Sequence, residues 1–246
     1  MVKIPSKLKN DAIAEAILEI RFETEFPDEL VVGRLLDRQP WAEYRHTRLS
    51  LADVPGPIRK AQESMRFQPI FEARKKDRVV KVGANTISFH VLGRYPGWTV
   101  FEEELHRAID EVFNALRTAS VRRLGLRYIN AVDHEDHFVS SFDDLTLKIQ
   151  LRGEELAGPK NLNFITKSDA DLSCTTRIAS KEFIAGNPSS SFELLIDIDV
   201  YTPPEHTADS ADGVKQWLER AHNFEKKCFF ALFPDQMIEN LMEDEG

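Results

Sequence analysis

The densest group of potential metal ligands in this sequence is residues 133–137, which read Asp-His-Glu-Asp-His. Imidazole nitrogens and carboxylate oxygens are common ligands of divalent cations, so His134 and His137 are the candidate nitrogen donors. Neighbours in an extended segment point to opposite sides, however, and five adjacent side chains then converge poorly on one ion. The run therefore predicts either a metal site or an acidic turn in water.

A second candidate site lies on segment 121–132. Arg127, Tyr128 and Asn130, together with Arg123, could bind a phosphate or carboxylate, because the planar guanidinium group suits bidentate recognition of such anions. On a strand, Arg123 and Arg127 would share one side at a separation of roughly 13 Å. The pattern predicts an anion site, open to a nucleotide or another small molecule.

Cross-strand ion pairing is the alternative for these arginines. Segment 191–201 places Glu193, Asp197 and Asp199 on one face of a predicted strand. Carboxylates opposite arginines on neighbouring strands form ordinary ion pairs, and the balance of charges favours this interpretation. Asp197 and Asp199 could instead serve as a carboxylate pair for magnesium or for acid–base chemistry.

The usual signatures of enzymes are absent from the sequence. It contains no G-x-S-x-G, no G-x-x-x-x-G-K-[ST], no G-x-G-x-x-G and no H-E-x-x-H. Cys174 and Cys228 are too few for a cysteine-rich zinc site, and we expect them to be buried free thiols. We predict no cofactor, while enzymatic activity stays open because distant residues can still assemble a site.

Composition and charge narrow the class of protein. The 246 residues carry a formal net charge of -9, with 42% hydrophobic and 30% charged residues. This is an ordinary globular balance, and the acidic charge disfavours non-specific binding of nucleic acid. Neither a signal-peptide core nor an apolar stretch of about 20 residues occurs, which predicts a cytoplasmic protein with no membrane association.

Alternating apolar residues predict the strands that position these candidate sites. The clearest segments are 12–23, 85–92, 121–132, 145–151 and 191–201. Apolar residues at helical spacing predict a long helix at about 100–118, with Thr99 as its cap and Glu102 completing a capping box. A second long helix is predicted at about 211–231. Its predicted buried stripe contains Val214, Trp217, Leu218, Ala221, Phe224, Cys228 and Leu232.

This order of elements predicts an α+β fold. Runs of strands interrupted by single helices favour an antiparallel sheet or sheets, with the two long amphipathic helices packed on one face. Each long helix follows a run of strands, which suggests two related halves, 1–132 and 133–246. One continuous domain is the alternative.

Segment 125–130, Gly-Leu-Arg-Tyr-Ile-Asn, resembles the recurrent strand of a sporadically distributed, uncharacterised bacterial protein family of about this length. The opening strand from Glu15 to Phe22, the helix at 100–118 and the C-terminal helix ending in Phe-Phe-Ala-Leu-Phe fit the same pattern. The resemblance covers nearly the whole chain. It implies an architecture and no established activity, and the scattered distribution implies a mobile or defence-associated locus.

Three functions remain open from the residues alone. Our main prediction is a non-enzymatic binding or regulatory module that acts through a protein partner or self-association. The first alternative is a small-molecule or nucleotide-binding enzyme that uses the anion site on 121–132, with His134 or His137 transferring protons. The second alternative is a metal-binding protein centred on residues 133–137.

Overall fold

The computed structural model describes residues 4–5, 8–117, 119–169, 172–184, 191–204, 208 and 210–242. Strands in these ranges are β1 (Ile13–Glu23), β2 (Arg45–Arg48), β3 (Phe71–Lys75), β4 (Arg78–Val82), β5 (Thr86–Leu92), β6 (Ser120–Val132), β7 (Gln150–Leu151), β8 (Glu154–Glu155), β9 (Asn161–Asp169), β10 (Leu172–Ser180) and β11 (Leu194–Tyr201). The α-helices are α1 (Asp28–Leu36), α2 (Gly56–Ala61), α3 (Glu63–Arg66), α4 (Trp98–Ala115), α5 (His134–His137), α6 (Ala211–Phe230) and α7 (Asp235–Leu241).

The described strands form a nine-stranded antiparallel sheet in the order β2-β3-β4-β5-β1-β6-β11-β10-β9. The long strand β6 lies near its centre, so that Tyr128 is opposite Ala16 on β1 and Ile198 on β11. This confirms the predicted antiparallel α+β fold. Strands from both predicted halves belong to the one sheet, because β6 and β11 pair directly.

Alternation along the central strands sorts apolar residues to one side of the sheet. Leu124 and Leu126 on β6, and Ile196 and Ile198 on β11, are fully buried in one continuous hydrophobic core. The intervening residues are mostly charged. Period-two patterning therefore identified both the strands and the side that faces the core.

The long helix α6 packs on β6, β10 and β11, and it also contacts α4. Its buried side contains Val214, Trp217, Leu218 and Ala221, as predicted. Leu232 is also buried, but the prediction was wrong for Phe224 and Cys228, which are only half-buried, whereas Glu225 and Phe229 are buried. The stripe thus continues one position later along the helix than the apolar residues suggested.

The beginning of α4 differs from the prediction. The helix starts at Trp98, and neither Thr99 nor any other side chain caps it. Gly97 precedes the helix with a φ of 87°, a conformation that is open to glycine and unfavourable for other residues. The turn at Gly97 starts the helix before Thr99, which therefore lies inside the first turn and cannot act as its cap.

The predicted strand at 145–151 is mostly irregular. Only Gln150–Leu151 pairs, in a two-stranded sheet with Glu154–Glu155. The preceding segment lies beside the end of α6 instead, where the Thr146 backbone nitrogen donates a hydrogen bond to Leu232 O at 2.8 Å. Its alternating leucines thus pack beside a helix terminus rather than in a sheet. Among the described residues, no helix has the length and apolar character needed to cross a membrane.

Candidate functional site

The two arginines of the predicted anion site make cross-strand ion pairs. Nε and Nη2 of Arg127 donate to the two carboxylate oxygens of Asp197, at 2.6 and 2.7 Å. Arg123 donates to Glu19 on β1 at 2.7 Å and to Asp199 on β11 at 3.0 Å. Neighbouring strands therefore already supply the carboxylates that an anionic ligand would have to replace.

The absence of a side chain at Gly125 makes space for this network of ion pairs. A Cβ at Gly125 would lie 2.6 Å from Arg123 Nη1 and 3.3 Å from Asp199 Oδ1, so the guanidinium group crosses the strand where a side chain is missing. Burial raises the pKa of the Asp199 carboxyl, although the charges of Arg123 and Arg127 oppose the rise. The charged network is packed against the strand and does not form an open site.

Tyr128 and Asn130 lie on the opposite side of β6, and the predicted four-residue anion site is therefore not formed. Their exposed fractions are only 1% and 3%. Successive residues of a strand point to opposite faces, so Tyr128 cannot converge with Arg127 on one ligand. Both buried residues line a cleft beside α6, which sequence reasoning did not anticipate.

Residues 133–137 form a capped helical turn. The Asp133 carboxylate accepts a hydrogen bond from the Asp136 backbone nitrogen at 2.7 Å. His134 is exposed and lies 2.8 Å from Ser140 Oγ through Nδ1, whereas His137 is buried. Within the described residues, no three His, Cys, Asp or Glu side chains come together in a way that could hold a metal ion.

A cleft of about 1010 Å³ lies between the sheet and α6. Its walls come from the segment before β1, the turn before α4, the end of β6, helix α5 and one side of α6. This volume lies at the upper end of the range for small-molecule sites. The residues that give it chemical character are Tyr95, Trp98, Tyr128, Asn130, His222 and Glu225.

Glu225 is the central group of the cleft. Its side chain is buried, with 6% of the residue exposed, and no hydrogen bond joins it to another described residue. Burial raises the pKa of Glu225 to about 8, with a smaller contribution from Cys174 and an opposing one from Lys226. The carboxyl is therefore protonated at neutral pH and can both donate and accept a hydrogen bond.

His222 forms an aromatic wall of the cleft, one turn before Lys226 on α6. Its ring stacks on Trp98 with a centroid separation of 3.7 Å and an angle of 5° between the planes. Burial, together with a smaller contribution from the charge of Lys226, lowers the pKa of His222 to about 3. The imidazole is thus neutral, and its Nδ1 lies 3.4 Å from the Tyr128 hydroxyl.

Two tyrosines and an asparagine complete the polar lining. The hydroxyls of Tyr95 and Tyr128 are 3.3 Å apart, and burial raises the pKa of each above its ordinary value. Asn130 Nδ2 donates to Ile196 O at 3.1 Å, which leaves its carbonyl oxygen as a hydrogen-bond acceptor for other groups. All three side chains are neutral.

His137 contributes a buried ring nitrogen to the lining of the cleft. Its Nδ1 lies 3.3 Å from the Asp133 backbone nitrogen and 3.4 Å from Asp133 Oδ1. Nε2 is buried and has no hydrogen-bond partner among the described residues. Of the two histidines predicted as metal ligands, only His137 lines the cleft.

The arrangement suits an uncharged polar ligand. Glu225, His222, Tyr95, Tyr128 and Asn130 are all neutral at pH 7, and together they offer both donors and acceptors. Neutral hydrogen-bonding groups in an apolar, buried setting bind ligands that carry matching groups without a net charge. In comparisons with known proteins, neither a family model nor a curated protein matches the chain.

Sequence reasoning missed His222 and Glu225, although the sequence contains a signal for one of them. Glu225 follows Leu218 by seven residues and Ala221 by four, which places a carboxylate in the buried stripe of a predicted helix. A charged residue in such a stripe is a candidate for a perturbed pKa. His222 has no comparable signal, since its stacking on Trp98 depends on how α4 and α6 pack.

Proposed function

We propose that this chain is a binding protein for an uncharged small molecule, which it holds in the cleft between β6 and α6. The observation that carries the proposal is Glu225, a buried carboxyl at the cleft with no hydrogen bond to another described residue. A ligand in the cleft would provide the hydrogen-bond partner that no described residue gives this carboxyl.

The other functions predicted from the sequence have less support. Binding through a protein partner, a cytoplasmic location and a defence-associated context stay predictions. Metal binding at residues 133–137 also stays a prediction, and the described side chains offer no set of three ligands for it. The anion site is disfavoured by the ion pairs that hold Arg123 and Arg127.

A thermal-shift screen against a panel of uncharged metabolites tests the proposal. We expect at least one compound to raise the melting temperature, since a ligand at 100 times its Kd adds about 2.7 kcal/mol to the free energy of unfolding. Glu225→Leu should abolish the shift, because leucine fills the space without hydrogen-bonding groups. Glu219→Leu is the matched control, since Glu219 is an exposed residue on the same helix.

Tyr128→Phe provides a second test that does not depend on the folding of the Glu225 variant. Removing this one hydroxyl leaves the aromatic ring in the core but takes a hydrogen-bonding group from the cleft. We expect it to weaken binding about tenfold, in proportion to one lost hydrogen bond. A panel in which no compound shifts the melting temperature, or a shift that survives in both variants, would overturn the proposal.

A further inference from the structure

The buried residues that line the cleft include both hydrogen-bond donors and acceptors. The Glu225 carboxyl presents a donor and an acceptor on adjacent oxygens, and the Asn130 carbonyl oxygen is an acceptor. His137 Nε2 is buried and has no hydrogen-bond partner among the described residues. A ligand that satisfies this lining must itself have donors and acceptors side by side.

Ionised groups lie at the exposed end of the cleft instead. Lys9, Asp11, Arg94 and Asp136 line it and are exposed, and they include both signs of charge. A cationic ligand group beside the protonated Glu225 would lose its hydration without gaining a partner of opposite charge, and Lys226 is the one half-buried cation among the described residues that line the cleft. The buried end therefore selects an uncharged group, and ionic parts of a ligand would remain at the mouth.

Aromatic side chains form part of the lining of the cleft. Trp98 and His222 stack in parallel and contribute an extended aromatic surface. Phe229, on the same side of α6 as Glu225, lines the cleft and is buried. Aromatic walls with a few polar groups at one edge are typical of sites that hold planar rings by stacking and read their edges by hydrogen bonds.

We infer that the buried end of the cleft binds the edge of an uncharged nitrogen heterocycle of the nucleobase type, an inference that rests on the proposed function. Such rings present adjacent donors and acceptors in their plane, which match the carboxyl group of Glu225 and the acceptor of Asn130. A sugar has donors and acceptors but no planar ring, and a carboxylate or phosphate has no donor.

Isothermal titration with adenosine, guanosine, cytidine and uridine tests the inference, with ribose as the control that lacks the ring. We expect one nucleoside to bind and ribose not to bind. Affinity should fall about tenfold or more as the pH rises past the pKa of Glu225, since ionisation removes its donor. Glu225→Gln keeps a donor and an acceptor, so it should bind with little dependence on pH.

The outcomes separate this inference from the proposed function. If another uncharged metabolite binds in a Glu225-dependent manner and no nucleoside does, the heterocycle inference is wrong and the small-molecule function stands. If a single-stranded oligonucleotide binds and no nucleoside does, the heterocycle inference is wrong, because backbone contacts would then provide the affinity, and the thermal-shift screen alone decides the small-molecule function. A nucleoside whose binding is unaffected by Glu225→Leu would also overturn the inference.

Discussion

Glu225 occupies a position on α6 at which an apolar residue would contribute more to stability. It lies among Trp217, Leu218, Ala221 and Phe229 on the buried side of the helix, with no hydrogen bond to another described residue. Residues that break the local packing rule without a structural gain are concentrated at functional sites. At the scale of the residue, this carboxyl is the strongest indication that the cleft has a use.

Glu225 should make stability fall with rising pH. Its folded-state pKa is about 8 and its ordinary value is 4.5, so the folded state binds the proton more tightly. The free energy of unfolding is then highest below the ordinary value and decreases as the pH rises towards 8, by at most about 1.4 kcal/mol per pH unit. Urea denaturation at several pH values measures this slope.

Glu225→Gln isolates the contribution of this one group. Cys174, Lys226, Tyr95 and Tyr128 surround the carboxyl and are unchanged in the variant, so the difference between the two slopes reports Glu225 alone. We expect the variant to have the flatter dependence between pH 5 and pH 8, roughly the window between the two pKa values. Equal slopes would mean that the carboxyl is ionised in the folded protein.

Helix boundaries show at the scale of the element what the sequence could and could not predict. Both long helices were predicted because their apolar spacing is strong, and the beginning of α6 has a side-chain cap at Ser210. Thr99 had an equally good pattern for capping α4, yet the chain enters that helix through Gly97. Propensity identifies residues able to cap, whereas the direction of the incoming chain decides which one does.

Two alanine variants test this difference. Ser210 Oγ accepts a hydrogen bond from the Gly213 backbone nitrogen at 3.2 Å, so Ser210→Ala should lower the free energy of unfolding by about 1 kcal/mol. Thr99→Ala should change it by less than about 0.5 kcal/mol, because Thr99 is exposed and caps nothing. Chemical denaturation measures both, and a larger loss for Thr99→Ala would contradict the structure.

The stripe of α6 illustrates the same limit for packing. Phe224 and Cys228 are apolar and fit helical spacing, so the sequence predicted them inside, yet Glu225 and Phe229 take the buried side. Over several turns, helical periodicity predicts the buried positions only to within about one residue. The contact with β6, β10 and β11 decides between these positions, and no local pattern contains that information.

At the scale of the whole molecule, the sheet separates two environments that are adjacent in sequence. Arg127 belongs to the charged network and Tyr128 to the cleft, on opposite faces of β6. The central strands and the side that faces the core could be predicted from alternation, and their antiparallel pairing from the order of the elements. The cleft could not, because segments around 95, 128 and 225 meet there only through the order of the strands.

Variants at these two neighbouring positions should therefore change different properties, stability at position 127 and ligand affinity at position 128. Arg127→Ala should lower the free energy of unfolding by about 1 kcal/mol, since Asp197 loses a bidentate partner but keeps Arg177 at 2.9 Å, and should leave the affinity for a cleft ligand unchanged. Tyr128→Phe should weaken the ligand. Denaturation and titration of both variants make the comparison, and loss of ligand binding in Arg127→Ala would show that the two faces are coupled.

The walls of the cleft come from distant parts of the chain: residues 9–14 and the turn at 93–98 on one side, and residues 222–230 of α6 on the other. A molecule bound between them would contact both α6 and the centre of the sheet, and would hold the two together. Local unfolding of α6 would then require release of the ligand. Binding of the ligand and local unfolding of this helix would therefore be thermodynamically coupled.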